Sequence, residues 1–467
     1  MSANKTRVEY ATLFSILCTM AGTGILQLPF TLKQGGWLCL TLLFIVALMT
    51  NTTGKWLIHC LYESSNNNKE LLLQPSKRLN DYPSIGEAAY GTSGRILVQI
   101  FHKSTLVGVT TIFLILAGKF LMEGIGGSGE GFVPNLGTAE DASEWQTRWT
   151  LITAGIVAVP VTLIPNMSEM HSLALFGLLC TVLCVIEIVV FAFLFKPIQQ
   201  QTVIQYNLPV PTNFNSTHFG KSVSHSYFNI NEFPTSFAAI TLSFGGHAVF
   251  PSIEKHMEDP NRNFNRTFNF AYLILLSVYL LAAIFGYLTF GDITYSPILC
   301  NFPRDTSTIL GTITATTKLM IAFHVMSAYP ILMNVVCTEL EQTLGIEGTN
   351  RGNEAGGNIT NQNVDTFKAR SARFFLRISL VALTCFVAVM VPYFPDVMSL
   401  VGAMCLTMIV FVLPVAFSFK LRGDKMSILE KVWGLCIVCC GCIGGIIGTI
   451  QAFQSIASKL LAGAPPG

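Results

Sequence analysis

The stretch that decides the fold is Met20-Ala21-Gly22-Thr23-Gly24-Ile25-Leu26-Gln27-Leu28-Pro29. It lies in an apolar run, residues 11–30, that is long enough to cross a lipid bilayer. Two glycines and a proline weaken a helix here, because glycine is a poor helix former and proline lacks a backbone donor. A spanning helix that unwinds inside the bilayer exposes polar backbone groups, which need protein or a polar cavity around them.

A similar stretch occurs in the second half of the chain: Phe244-Gly245-Gly246-His247-Ala248-Val249-Phe250-Pro251. In both stretches a proline follows a glycine by five residues. Two interrupted apolar segments in matching halves point to the binding site of a secondary transporter. The alternative is a pair of ordinary membrane helices that pack closely through small residues.

The composition predicts an all-α membrane protein that crosses the bilayer many times. The chain has 467 residues, of which 51% are hydrophobic and 12% are charged. The charged fraction is about half of that in soluble proteins. The net charge of +2 gives no reason to expect a nucleic-acid partner. We predict about eleven spans, at residues 10–30, 37–61, 96–122, 149–166, 172–195, 233–251, 268–290, 308–338, 373–391, 396–419 and 430–452.

The distribution of lysine and arginine predicts the orientation of these spans. The loops that carry most basic residues should be cytosolic, which places the N-terminus in the cytosol and the C-terminus outside the cell or in a lumen. The membrane is either the plasma membrane or that of a vacuole or lysosome. Asn215, in the sequence Asn-Ser-Thr, falls in the predicted external loop 196–231 and is a candidate for N-glycosylation.

The sequence does not support an enzyme. Residues 124–129 match the pattern GxGxxG, but no strand precedes them and no helix opens after them, so a dinucleotide site is excluded. The cysteines at 436–442 lie in an apolar run, where packing is favoured over zinc binding. We therefore expect no enzymatic activity, no cofactor and no metal. The expected partners are a small amino acid and the lipid bilayer, with no obligate protein partner.

The glycine-containing stretches and several later segments resemble the amino acid/auxin permease family, within the amino acid–polyamine–organocation superfamily. The resemblance is carried by residues 22–30 with Gly35-Gly36-Trp37, residues 82–91, residues 244–253 with 257–260, residues 286–291, residues 392–394, Gly402-Ala403 and Leu413-Pro414. It implies one LeuT-type transporter domain, residues 1–467, with the first and sixth helices broken. Two inverted five-helix repeats, at 10–195 and 232–420, would flank the external loop, and a further helix would lie within 421–452.

The resemblance also implies proton- or sodium-coupled transport of small neutral amino acids by alternating access. Sodium-coupled members often have asparagine where this chain has Cys18, and a thiol is a poor ligand for a hard cation. Protons are therefore the expected coupling ion. Thr19, Ser327 and His324 are the candidate ion-coupling residues, and His324 is the candidate for titration. The alternatives are a sodium-coupled or vesicular amino acid transporter, or a membrane-embedded amino acid sensor that signals through a partner.

A zwitterionic amino acid needs partners for both of its charges when it is buried. We expect free N–H groups at Gly22, Thr23 and Gly24 to hold the carboxylate, because the following half-helix begins there. Free carbonyls in the second stretch should hold the ammonium group. The predicted substrate-binding residues are Gly22, Thr23, Gly24, Ile25, Phe244, Gly245, Gly246 and His247. Among these, Ile25 and Phe244 are expected to line the pocket for the side chain of the substrate.

Overall fold

The computed structural model describes residues 12–63, 78–125, 139–163, 171–195, 223–255, 257, 260–303, 308–346 and 366–462. Most of these residues are helical, and no strand occurs among them. In chain order the helices are α1 (residues 12–20), α2 (Leu28–Gly35), α3 (Cys39–Cys60), α4 (Tyr82–Ile125), α5 (Ala139–Leu163), α6 (His171–Phe195), α7 (Phe233–Ser243), α8 (Phe250–Glu254), α9 (Pro260–Phe290), α10 (Ile309–Thr343), α11 (Thr366–Met390), α12 (Phe394–Val401), α13 (Leu413–Arg422) and α14 (Ile428–Leu461).

Both predicted interruptions are present. The helix α1 ends at residue 20, and a single 3₁₀ turn, Thr23–Leu26, separates it from α2. The helix α7 ends at Ser243, and six residues, 244–249, separate it from α8, which begins at Phe250. In α2 and in α8 a proline occupies the first turn, where its missing donor would be unpaired in any case.

Eight of the eleven predicted spans coincide with helices long and apolar enough to cross a membrane, counted over the described residues. The three others are α1 with α2, α7 with α8, and α5. The first two of these are interrupted helices, so neither contains a continuous run of the required length. The all-α membrane fold with broken first and sixth helices is confirmed, whereas the count of eleven and the repeat boundaries stay predictions.

The described helices depart from α-helical geometry at two places. The helix α4 is kinked at Tyr90 and Gly91, where Gly91 has a φ of 65° that favours glycine. This kink separates a short helical piece from the long span that follows. The segment Gly402–Val412, between α12 and α13, is a π-helix, a form that often occurs at functional sites.

Buried ion pairs join helices at both ends of the bundle. Near the end of α4, Glu123 accepts from Lys318 of α10 at 2.8 Å, and both side chains are at most 5% exposed. At the other end Arg377 of α11 lies 2.7 Å from Glu341 of α10. Because charges within spans are costly unless paired, these contacts fix how α10 sits against its neighbours.

The end of α8 is held by a charged residue from the segment that precedes α4. Arg78 donates to the Glu254 carboxylate at 2.9 and 2.5 Å and to the Pro251 carbonyl at 2.6 Å. Tyr62 donates to the other oxygen of Glu254. Burial, and then the contact with Glu254, raise the pKa of Tyr62 to about 12, so its hydroxyl stays protonated and keeps donating at neutral pH.

Candidate functional site

The two interruptions lie directly against each other. A Cβ atom built on Gly24 would lie 2.6 Å from the Ser243 Oγ and 2.8 Å from the Ser243 Cα. One built on Gly246 would lie 3.2 Å from Cγ of Met20. The end of α7 therefore approaches the 3₁₀ turn so closely that position 24 has no room for a side chain.

Tyr279 of α9 connects the two interruptions through its hydroxyl group. The hydroxyl oxygen lies 2.7 Å from the Met20 carbonyl at the end of α1 and 2.7 Å from the Ser243 carbonyl at the end of α7. The hydroxyl group has a single proton, so it donates a hydrogen bond to one of these carbonyls at a time. The sequence analysis missed this residue. The available signal was a tyrosine in the middle of an apolar span, since a buried hydroxyl needs a partner.

A cavity of ≈ 190 Å³ opens beside the paired interruptions. Seven of the predicted residues line it: Thr19, Gly22, Thr23, Gly24, Gly245, Gly246 and His247. The opposite wall comes mainly from α4, with further residues from α10 and the π-helix. The apolar side chains of that wall are Leu106, Val109, Ile112, Phe113, Leu332, Leu406 and Ile409. The cavity therefore has polar backbone groups of the two interruptions on one side and apolar side chains on the other.

Some backbone groups at the first interruption are free, but not all of those predicted. The N–H of Gly22 donates to the Met20 carbonyl at 2.9 Å, so the expectation that it is free is wrong. Among the described residues, no acceptor receives the N–H groups of Thr23 and Gly24. These are the first donors of the 3₁₀ turn, and the first donors of any helix have no partner within it.

The second interruption likewise has fewer free carbonyls than predicted. The carbonyl of Gly246 already accepts the N–H of Val249 at 3.1 Å. The carbonyl of Gly245 receives no donor from the described part of the chain, and Gly245 lines the cavity. Of the carbonyls predicted to be free, those around Phe244, Gly245 and Gly246, the carbonyl of Gly245 therefore combines the lack of a donor in the described part of the chain with a place on the cavity wall.

The two large apolar residues predicted for the side-chain pocket lie elsewhere. Phe244 is fully buried and does not line the larger cavity; its ring lies 5.1 Å from that of Tyr279 and 6.0 Å from that of Tyr272. Ile25 faces a second, smaller cavity. The N–H of Gly245 donates to the Leu242 carbonyl, three residues earlier, so α7 ends in a 3₁₀-type turn. On this backbone path the side chain of Phe244 points toward α9.

The second cavity, of ≈ 10 Å³, lies on the other side of the first interruption. This volume suffices for about one water molecule. Its walls include Ile25, Thr181 and His324, and Thr181 donates to the Ala21 carbonyl at 3.2 Å. Ser327 lines neither cavity, while Thr19 lines the larger one. The structure therefore does not bring the three predicted ion-coupling residues together.

His247 is the buried titratable side chain at the second interruption. It is 1% exposed, and its Nε2 lies 2.9 Å from the Thr53 Oγ1 on α3. Its Nδ1 is buried and has no hydrogen-bond partner among the described residues. The ring is thus fixed at one nitrogen only.

Comparison with known proteins gives one family over nearly the whole chain. The family model described as "Transmembrane amino acid transporter protein" matches residues 9–454. The amino acid transporter AVT1C of Arabidopsis thaliana is 25% identical over 96% of this chain and 69% of its own length. The vesicular inhibitory amino acid transporter of Xenopus laevis is 24% identical over 95% of this chain and 76% of its own length.

Two solved structures are similar to this chain over almost its full length. One is a manganese transporter of Eremococcus coleocola, with 12% identity and a TM-score of 0.49. The match covers 97% of this chain and 88% of the manganese transporter. The other is MhsT, solved in complex with L-phenylalanine, with 12% identity and a TM-score of 0.47. The match covers 94% of this chain and 98% of MhsT.

Proposed function

Because this chain belongs to the transmembrane amino acid transporter family, we propose that it is a secondary active transporter that moves small neutral amino acids by alternating access. The observation that carries the proposal is the single cavity bordered by both helix interruptions. Interrupted spanning helices expose backbone donors and acceptors to a binding site without adding charged side chains. The names of the relatives support amino acids as the substrate class.

We propose that the backbone of the substrate is held at the paired interruptions. The N–H groups of Thr23 and Gly24 would bind the carboxylate, and the carbonyl of Gly245 would bind the ammonium group. These groups are unbonded among the described residues and border the cavity, which supports the assignment. Each charge of the zwitterion would then have a partner, as burial requires.

The opposite wall of the cavity supports a neutral, largely apolar side chain in the substrate. Among the described residues that line the cavity there is no Asp, Glu, Lys or Arg. A charged substrate side chain would therefore be desolvated without a counter-charge, which is costly. A small or medium apolar side chain would pack against Val109, Ile112 and Phe113 of α4.

The conformation described here supports access from the predicted cytosolic side. The lining includes Thr19, which precedes the first interruption, and Val249, which follows the second. Both lie on the predicted cytosolic side of their interruptions, as does His102 in the first half of α4. Alternating access would close this side and open the cavity toward the predicted external end.

The driving ion is proposed to be the proton. Cys18 offers no oxygen ligand, and Thr19, Ser327 and His324 do not share a site that would hold sodium. The vesicular relative supports a membrane that encloses a compartment, with the plasma membrane as the alternative. His324, whose Nδ1 is buried and lacks a partner in the described residues, remains one candidate for carrying the proton.

The test is flux in liposomes that contain the purified full-length protein. Labelled L-alanine should accumulate when a pH gradient is imposed without sodium, and a sodium gradient alone should not drive it. Accumulation that needs sodium and ignores the pH gradient would contradict proton coupling. If a panel of neutral amino acids showed neither uptake nor exchange, the proposed transport function itself would be wrong.

A further inference from the structure

The larger cavity is lined by two histidines that differ in their partners. His102 has a carboxylate beside it, since its Nδ1 lies 3.7 Å from the Glu339 Oε1 on α10. His247 takes part in no ion pair among the described residues, and its Nδ1 is buried without a hydrogen-bond partner. The same carboxylate lies 3.6 Å from Nζ of Lys103, so His102 shares a carboxylate with an ammonium group, whereas His247 pairs with no charged group in the described part of the chain.

With Nε2 donating to the Thr53 hydroxyl oxygen on α3, Nδ1 is the ring nitrogen left to gain and lose a proton. The Thr53 Oγ1 lies 3.1 Å from the Met49 carbonyl and 3.2 Å from the Thr50 carbonyl, which can accept its hydroxyl proton. The hydroxyl oxygen is then free to accept Nε2–H of His247. Because Nδ1 is bonded to the ring carbon that carries Cβ, it lies on the part of the ring nearer the interrupted backbone.

Among the described residues, no Asp or Glu contacts His247 or lines the larger cavity, so none of them would balance an imidazolium there. From α3 the ring meets Thr53, and from α8 it meets the ring of Phe250 at 5.0 Å. Of the elements across the cavity, α4 contributes one titratable lining residue, His102, which has Glu339 as its partner, while α10 and the π-helix contribute apolar lining residues. An unpaired charge on His247 would be costly in this site.

We propose that the coupled proton binds Nδ1 of His247 and that the carboxylate of the bound amino acid is its counter-charge. This inference rests on the proposed transport function. Nδ1 takes the proton from water on the side where the amino acid enters and releases it to water on the side where the amino acid leaves. Since proton and substrate each stabilise the other in the site, the two move together in the same direction.

The placement of the two interruptions supports this assignment over His324. His247 borders the same cavity as Thr23 and Gly24, whose N–H groups have no acceptor among the described residues, so a bound amino acid would lie beside all three residues. The smaller cavity at His324 includes no residue of the second interruption. The proposal also fixes the sign of the pH dependence: the complex holds one more proton than the free protein, so affinity for the amino acid rises as pH falls.

The test uses full-length protein in liposomes that contain a trapped pH-sensitive dye, with L-alanine as the probe. Wild-type protein should acidify the lumen when L-alanine is added outside, and L-alaninol, which lacks the carboxylate, should not cause acidification. His247→Gln should still exchange labelled for unlabelled L-alanine but lose both the acidification and the accumulation driven by a pH gradient. His59→Gln is the control, because His59 of α3 lines neither cavity, and it should retain acidification.

The proposal would be overturned if His247→Gln acidified the lumen at the wild-type ratio of protons to L-alanine. It would also be overturned if acidification were lost in His324→Gln but not in His247→Gln. If His247→Gln does not exchange, the shift in melting temperature caused by L-alanine is measured at low and high pH. Binding that no longer depends on pH supports the proposal; unchanged pH dependence, or no binding by folded protein, overturns it. Wild-type protein that transports no amino acid would instead contradict the proposed function.

Discussion

At the scale of single residues, Gly24 decides whether the two interruptions can meet. A leucine at this position would collide with the backbone of Ser243, since even a Cβ would lie 2.8 Å from its Cα. We expect Gly24→Leu to abolish uptake of L-alanine in liposomes, while the protein still folds and inserts. Gly155→Leu is the control, because nothing lies within 4 Å of a Cβ at position 155. Normal uptake by Gly24→Leu would show that the substrate carboxylate is held elsewhere.

Phe244 illustrates how a residue beside the site can have a structural role. Its ring is fully buried against Tyr272 and Tyr279, away from the larger cavity. We expect Phe244→Ala to lower the stability by about 3–5 kcal/mol, the range for truncating a buried aromatic residue, with little change in substrate preference. Thermal unfolding in detergent and competition uptake measure the two effects.

Phe113 is the matched comparison for Phe244, because it lines the cavity that Phe244 does not reach. Phe113→Ala should change the order in which neutral amino acids compete for uptake, toward larger side chains. A change in preference in Phe244→Ala but not in Phe113→Ala would reverse this assignment of the two rings.

At the scale of elements, the attachment of α8 depends on one buried carboxylate. The side chain of Glu254 is 0% exposed, and its partner Arg78 is 22% exposed. Removing one member of a buried pair leaves an uncompensated charge, so Arg78→Ala should destabilise the protein by about 3–5 kcal/mol. The exposed pair of Arg95 with Glu87, at 45% and 46% exposure, is the control. Arg95→Ala should cost at most about 1 kcal/mol.

The measurement for these two arginine variants is the melting temperature of the detergent-purified protein. Arg78→Ala should lower it clearly more than Arg95→Ala does. Equal shifts would mean that Tyr62 alone suffices to hold the Glu254 carboxylate. They would also mean that the segment before α4 contributes little to holding α8.

At the scale of the whole molecule, the predicted orientation can be tested through glycosylation. Asn358, in the sequence Asn-Ile-Thr, falls in the loop 341–367, which the basic residues predict to be cytosolic, whereas Asn215 is predicted to be external. Both lie outside the described residues. After expression in a eukaryotic cell, glycosidase treatment should increase the protein's gel mobility, and Asn215→Gln should remove that shift. A shift that persists in Asn215→Gln and disappears in Asn358→Gln would invert the topology.

The sequence by itself determined the class of the protein and the position of the two helix interruptions. Apolar runs of bilayer length predict spanning helices, and the glycines and prolines at 22–29 and 245–251 mark where two of them break, because both effects act locally along the chain. The contacts between segments were decided only by the tertiary structure. The Tyr279 hydroxyl reaches two carbonyls, Phe244 faces α9, and Gly22 donates to Met20. No spacing rule encodes these contacts, since each depends on how distant helices pack and on the backbone path through a break.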